Sequence, residues 1–180
     1  MLLGVWLHRG NRLGYGSKEL HSLRESVSIG RLTSQSNGVL KMKVNGQCYC
    51  GKISLKAEVS ENMMMACHCK DCQIFSGAPF RAVAVATAEN VEIKGEAKEY
   101  VKVADSGNKR IQAFCGDCGT QLYATDLEKT MFNIRAGFLE QHHQIVPKKH
   151  IFGSSTAAWL ANIDEHAWVT AGPKSEPLKS

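Results

Sequence analysis

Alternation of polar and apolar side chains governs the chain from Met42 onward. Residues 52–59, Lys-Ile-Ser-Leu-Lys-Ala-Glu-Val, place Ile53, Leu55, Ala57 and Val59 on one face of a strand. An apolar, valine-containing strand is predicted over residues 80–86. Shorter ones follow over 91–93 and 100–103, stopped by Lys94-Gly95 and by Asp105-Ser106-Gly107-Asn108. Residues 110–114 and 121–124 flank a cysteine-bearing turn, and residues 131–135 alternate again before Gly137. The Met63-Met64-Met65 run reads as strand packing on the way into a cysteine cluster. Helical signals are confined to one turn after Cys69 and one over residues 156–160. Many short strands punctuated by Gly, Asn and Asp predict a mainly β domain of two small sheets.

Residues 1–41 break this pattern. They are rich in Gly, Ser and Arg, poor in acids, and carry one weak helical patch at Leu20, Leu23 and Val27. This segment is expected to be an N-terminal extension, a disordered tail or a non-native start ahead of Met42, with an organellar transit peptide as the rival. Residues 42–172 then form the folded domain, and 173–180, with two prolines, a frayed C-terminal tail. The net charge of +5 changes little: five Lys/Arg against two acids in the first 40 residues account for +3 of it. The other 140 residues net +2, without the basic stripe interleaved with aromatics that a nucleic-acid groove needs. No apolar run approaches the length of a transmembrane helix. Neither nucleic acid nor membrane is therefore expected as a partner.

A chain of 180 residues buries roughly 70% of its unfolded surface, so it needs no cross-links to form a core. Its seven cysteines, all between positions 48 and 118, are available for other work. The odd count, and an apolar N-terminus with no basic residues before it, argue against a secreted disulfide framework. Reduced thiols held by metal in the cytoplasm are the expectation.

The thiols fall into Cys48-x-Cys50, Cys67-x-Cys69-x-x-Cys72 and Cys115-x-x-Cys118. The first and last each end in glycine, and each is half of a tetrahedral site. Together, Cys48, Cys50, Cys115 and Cys118 make one closed structural zinc site. An ion worth about 10–16 kcal/mol there rivals the whole net stability of a domain, about 5–15 kcal/mol. Cys67, Cys69 and Cys72 remain for a second zinc with its fourth position open, the arrangement of a catalytic site. A histidine closing that position, or a cysteine exchanged between the two sites, are the alternatives. His68 lies between two ligands and is poorly placed to turn back, while His142, His143 and His150 reach the ion only through the fold. Three thiolates on Zn²⁺ carry a formal charge of −1, which suits a soft incoming thiolate better than the ionisation of water.

The CxC–CHCxxC–CxxCG pattern, with Ser76-Gly77-Ala78-Pro79-Phe80 after the triplet and Phe114 before the last pair, resembles the glutathione-dependent formaldehyde-activating enzyme family, which includes centromere protein V. Arg135-Ala136-Gly137-Phe138-Leu139-Glu140, Lys149-His150-Ile151-Phe152 and Ala158-Trp159 extend the likeness. The resemblance implies a β-tent fold of small antiparallel sheets around a structural and a catalytic zinc. It also implies glutathione and formaldehyde as substrates, and S-(hydroxymethyl)glutathione as product. Lys70, Arg81 and Arg135 are the cations available to an anionic thiol, although a solvated surface charge is the ordinary role for each. Asp71 is placed to accept a thiol proton or, as is more common, to cap its own turn. His150 and Trp159 are candidates to wall the pocket.

Two functions follow. One is a carbon–sulfur lyase or synthase that adds a glutathione-like thiol to a small aldehyde. The other is a zinc-stabilised protein-binding module with both metal sites structural.

Overall fold

Period-two alternation becomes two sheets that share one apolar interior. The computed structural model describes residues 40–104 and 107–178. The expected N-terminal extension, with its patch at Leu20, Leu23 and Val27, lies outside these residues up to position 39. So do Asp105 and Ser106 of the predicted turn, and the last two residues of the tail.

The first sheet has three antiparallel strands in the order β1 (Lys41–Gln47), β2 (Ser54–Ser60) and β5 (Val91–Lys94). Register sets Ala57 between Val44 and Val91, and Leu55 against Ile93, so the predicted apolar face is one continuous surface. Ile53, Leu55, Ala57 and Val59 are all buried. The second sheet has seven strands, in the order β10 (Lys149–Ile151), β3 (Met64–Cys67), β4 (Arg81–Thr87), β9 (Met131–Arg135), β8 (Gln121–Thr125), β7 (Lys109–Phe114) and β6 (Lys98–Val103). Every pairing in it is antiparallel except β10 with β3. Met64, Ala84, Ala86, Ala113, Tyr123, Phe132 and Ile134 face the first sheet and form the core with it. Fully burying each larger member contributes about 1.5–3 kcal/mol.

Strand β4 reads Arg-Ala-Val-Ala-Val-Ala-Thr because both its faces are covered. Ala84 and Ala86 meet the core, while Val83 and Val85 are buried on the opposite side. Above that opposite side lies the α-helix, α1 (Lys70–Ser76). Asp71 on α1 pairs with Lys102 of β6, and the Phe75 ring lies 6.1 Å from Tyr100 of the same strand. Both β6 residues share a sheet face with Gln112 of β7. One face of the large sheet is therefore core, and the other is a polar floor under α1.

The predicted turn near Thr156 is a 3₁₀ segment, Ala158–Glu165. Beyond it, Thr170 N–H bonds Glu176 O at 2.9 Å and Leu178 N–H bonds Trp168 O at 2.8 Å, which closes residues 168–178 into a loop. Among the described residues, no helix is long and apolar enough to cross a membrane.

Candidate metal centres

Two hairpin tips, one from each sheet, carry the first group of thiols. In the β1–β2 connection Gly51 N–H bonds Cys48 O at 2.9 Å, and in the β7–β8 connection Gly119 N–H bonds Cys115 O at 2.9 Å. Gly51 and Gly119 have φ of 81° and 73°, a left-handed conformation that glycine adopts without steric cost. The same turn is thus built twice, and the two are joined. Tyr49 N–H donates to Thr120 Oγ1 at 3.1 Å, and Lys52 pairs with Asp117 at 3.0 Å. Thr120 Oγ1 also stands 3.2 Å from Cys118 Sγ, a contact that no motif in the sequence announces.

Cys48, Cys50, Cys115 and Cys118 bring four Sγ atoms within 4.8 Å of one another. Cys48 and Cys50 are 3.5 Å apart, and Cys50 and Cys115 3.7 Å. A tetrahedron with Zn–S bonds of about 2.3 Å has S···S edges of about 3.8 Å, so this donor set fits a zinc ion. Ile53 N–H donates to Cys48 Sγ at 3.2 Å, the kind of bond that favours a thiolate.

The second group is assembled where β3 runs into α1. Cys67 ends the strand, Cys69 is the N-cap of the helix, and Cys72 is buried within it. Cys69 Sγ accepts Cys72 N–H at 3.4 Å, so the residue expected to cap the turn, Asp71, is released to pair with Lys102. The three Sγ atoms lie within 4.8 Å of one another, and Cys67 and Cys69 are 3.5 Å apart, again the spacing zinc requires. Among the described residues no His, Asp or Glu ligand atom joins this group. A hydrogen bond from Cys72, helped by Cys69 and the charge of Arg81, pushes the Cys67 thiol down to about 5, while the bond to Cys67 and burial drive Cys72 far up.

His68 is occupied elsewhere. Its ring, 3% exposed, lies between Phe80 and His150, with Nε2 2.9 Å from His150 Nδ1. Gln73 Nε2 donates to both His68 O (2.8 Å) and Ser155 O (2.9 Å), tying α1 to the neighbouring turns. His150 thus belongs beside the cluster. Trp159 is half exposed and stacks on His166, 5.9 Å away.

Lys70 is exposed, as a surface charge should be, and Arg81 is half-buried. Arg135 departs from expectation: it is only 6% exposed. Burial, followed by repulsion from Arg81, holds its guanidinium down to about 9. Its position on the polar side of an alternating strand suggested solvent, but α1 covers that side of the sheet. Gln112, the acceptor that Arg81 and Arg135 share, was hidden by the same inference. A surface hollow of about 610 Å³ lies beside the four-thiol cluster, lined by Lys52, Glu96, Lys98 and Asp117, with no thiol or histidine in its lining.

Residues 43–155 match the family model described as glutathione-dependent formaldehyde-activating enzyme. A Schizosaccharomyces pombe protein described as an uncharacterized lyase is 36% identical over 78 residues, covering 43% of this chain and 54% of that protein. The chain thus spans about half the length of this curated relative. A crystal structure of a Rhodobacter sphaeroides protein superposes with a TM-score of 0.46 at 15% identity, over 59% of this chain and 98% of that one. The family match takes in all seven cysteines, and the chain belongs to the glutathione-dependent formaldehyde-activating enzyme family.

Proposed function

We propose that the protein is a zinc-dependent carbon–sulfur lyase which, in the synthetic direction, adds a glutathione-like thiol to a small aldehyde such as formaldehyde. The observation that carries this proposal is the three-thiol cluster, which gathers Cys67, Cys69 and Cys72 and no further side-chain ligand among the described residues. Cys48, Cys50, Cys115 and Cys118 would hold a structural zinc, and Cys67, Cys69 and Cys72 a catalytic one, two ions per chain. Zinc bound at the second site supplies a positive centre that lowers the pKa of a thiol substrate. The formal charge of −1 with three thiolates favours this use over water activation.

The chain's own residues position the reaction. Cys67 on a strand end and Cys69 and Cys72 at a helix start fix three sulfurs on regular elements. His150 holds His68 away from them. The thiolate sulfur attacks the carbonyl carbon, a C–S bond forms, and the C=O π pair moves to oxygen. That oxygen takes up the proton the thiol lost. Lys70, exposed on the first turn of α1, is the cation proposed to steady the charge on oxygen. Unpaired thiols are maintained in a reducing compartment, so the cytoplasm is the proposed location.

The test is exchange between formaldehyde and glutathione, followed by magnetisation-transfer NMR on protein loaded with two zinc ions. Exchange faster than the spontaneous rate is expected. Protein that holds both ions and gives no acceleration refutes the proposal.

A further inference from the structure

The polar floor beneath α1 holds two guanidinium groups that no acidic side chain among the described residues answers. Arg81 opens β4 directly opposite Cys67 of β3, and Arg135 closes β9 opposite Val83. Residues 81 and 83 project from the same side of β4, so both arginines and Cys67 share one face of the sheet. Gln112 joins them from β7. Its Oε1 accepts Arg81 Nη1 at 3.1 Å and Arg135 Nη2 at 2.8 Å. One neutral amide oxygen therefore serves two cations. The Nε groups of both arginines are buried without a partner.

Among the described residues nothing acidic completes the arrangement. The ion pairs among the described residues all use lysine, and neither arginine takes part in one. Asp71, the acid that α1 carries over this face, is taken by Lys102. Burying a charge without a countercharge is unfavourable, and here the buried Arg135 stands against the half-buried Arg81. The metal cluster compensates only in part. Three thiolates on a divalent ion leave −1, against +2 from the two arginines. An incoming thiolate at the open position would balance the remaining charge, yet the Nε–H donors of both arginines are still left without an acceptor.

The geometry points to Arg81 and Arg135, bridged by Gln112, as the seat for a carboxylate carried by the incoming thiol. The seat rests on the open metal position proposed above and names what that position selects: thiols bearing a carboxylate. A guanidinium binds a carboxylate bidentately through one Nε–Nη edge, and each arginine still has its Nε–H to offer. Arg81 is one strand from Cys67 and Arg135 two strands away, roughly 5 and 10 Å at strand spacing. A thiol whose carboxylate lies several bonds from its sulfur spans that separation.

The test compares an anionic thiol and a neutral one of the same backbone, 3-mercaptopropionate and its methyl ester, on protein with cobalt(II) in place of zinc. The sulfur-to-cobalt charge-transfer band reports the affinity of each. Wild-type protein is expected to bind the acid at least tenfold more tightly than the ester. The ratio should fall towards one in Arg81→Gln, and also in Gln112→Glu, where an internal carboxylate occupies the seat. Equal affinities in the wild type, or a ratio unchanged in a folded variant, overturn the carboxylate seat alone. A band that neither thiol moves overturns the open metal position and the seat with it.

Discussion

Ile134 and Arg135 are neighbours in β9, both buried, and they face opposite ways. Ile134, 0% exposed, packs in the core between the sheets, whereas Arg135 lies on the polar floor with Gln112 as its side-chain acceptor. Burial alone does not distinguish their roles; the partners do. Ile134→Ala removes packed methylenes and leaves a cavity, an expected loss of about 2–5 kcal/mol. Arg135→Met removes a charge without a countercharge, the hydrogen bond shared at Gln112 and a long one to Asn133 O at 3.5 Å, while Gln112 keeps Arg81. The expected cost is no more than about 1 kcal/mol. Denaturant unfolding of the two zinc-loaded variants measures both values. If Arg135→Met costs as much as Ile134→Ala, the guanidinium is a structural group and not a binding one.

At the scale of elements, the roles proposed for the two clusters assign catalysis to the helix start and folding to the two hairpin tips. Cys69 is both a proposed ligand and the N-cap of α1, and serine is itself a favoured N-cap. Cys69→Ser should therefore keep the helix start and the β-sheet circular dichroism while abolishing the accelerated exchange. Cys115→Ser in the other cluster should lose most of the folded signal, since a zinc ion held there would be worth about as much as the domain's net stability. A Cys115→Ser protein that melts like the wild type would contradict that division.

Much of this was legible in the sequence because strand alternation and cysteine spacing are local signals. Ile53, Leu55, Ala57 and Val59 face the core as their alternation requires, and the two cysteine groups form as their spacing suggests. What stayed hidden depends on non-local cover. Alternation puts Gln112 and Arg135 opposite the apolar face but does not reveal that a helix lies above them. Likewise β10 is three residues long, paired in parallel with a strand about 80 positions earlier, and has no periodicity of its own to betray it. The Asp71–Lys102 pair joins residues 31 apart, and so displaced the local capping role that sequence assigns to such an aspartate.

For the whole molecule, the two clusters differ most in how much chain they enclose. Cys50 and Cys115 meet across 65 residues and join the tip of one sheet to the tip of the other. Cys67, Cys69 and Cys72 span a single strand-to-helix junction. Closing a long loop restricts the unfolded chain far more than closing a short one, so the ion between the sheets should carry most of the folding linkage. Loss of the other ion should at most loosen α1, whose seven residues are too few to be stable alone. A chelator titration of the two-zinc protein, followed by a zinc indicator, circular dichroism and exchange activity together, should therefore show two steps. The first equivalent, from the three-ligand site, should leave with all of the activity and little of the β signal. The second should leave as the domain unfolds. Release of both ions in one cooperative step would mean that the three-thiol cluster also holds the fold together, which is the behaviour of a zinc-stabilised binding module and not of an enzyme with an exchangeable metal position.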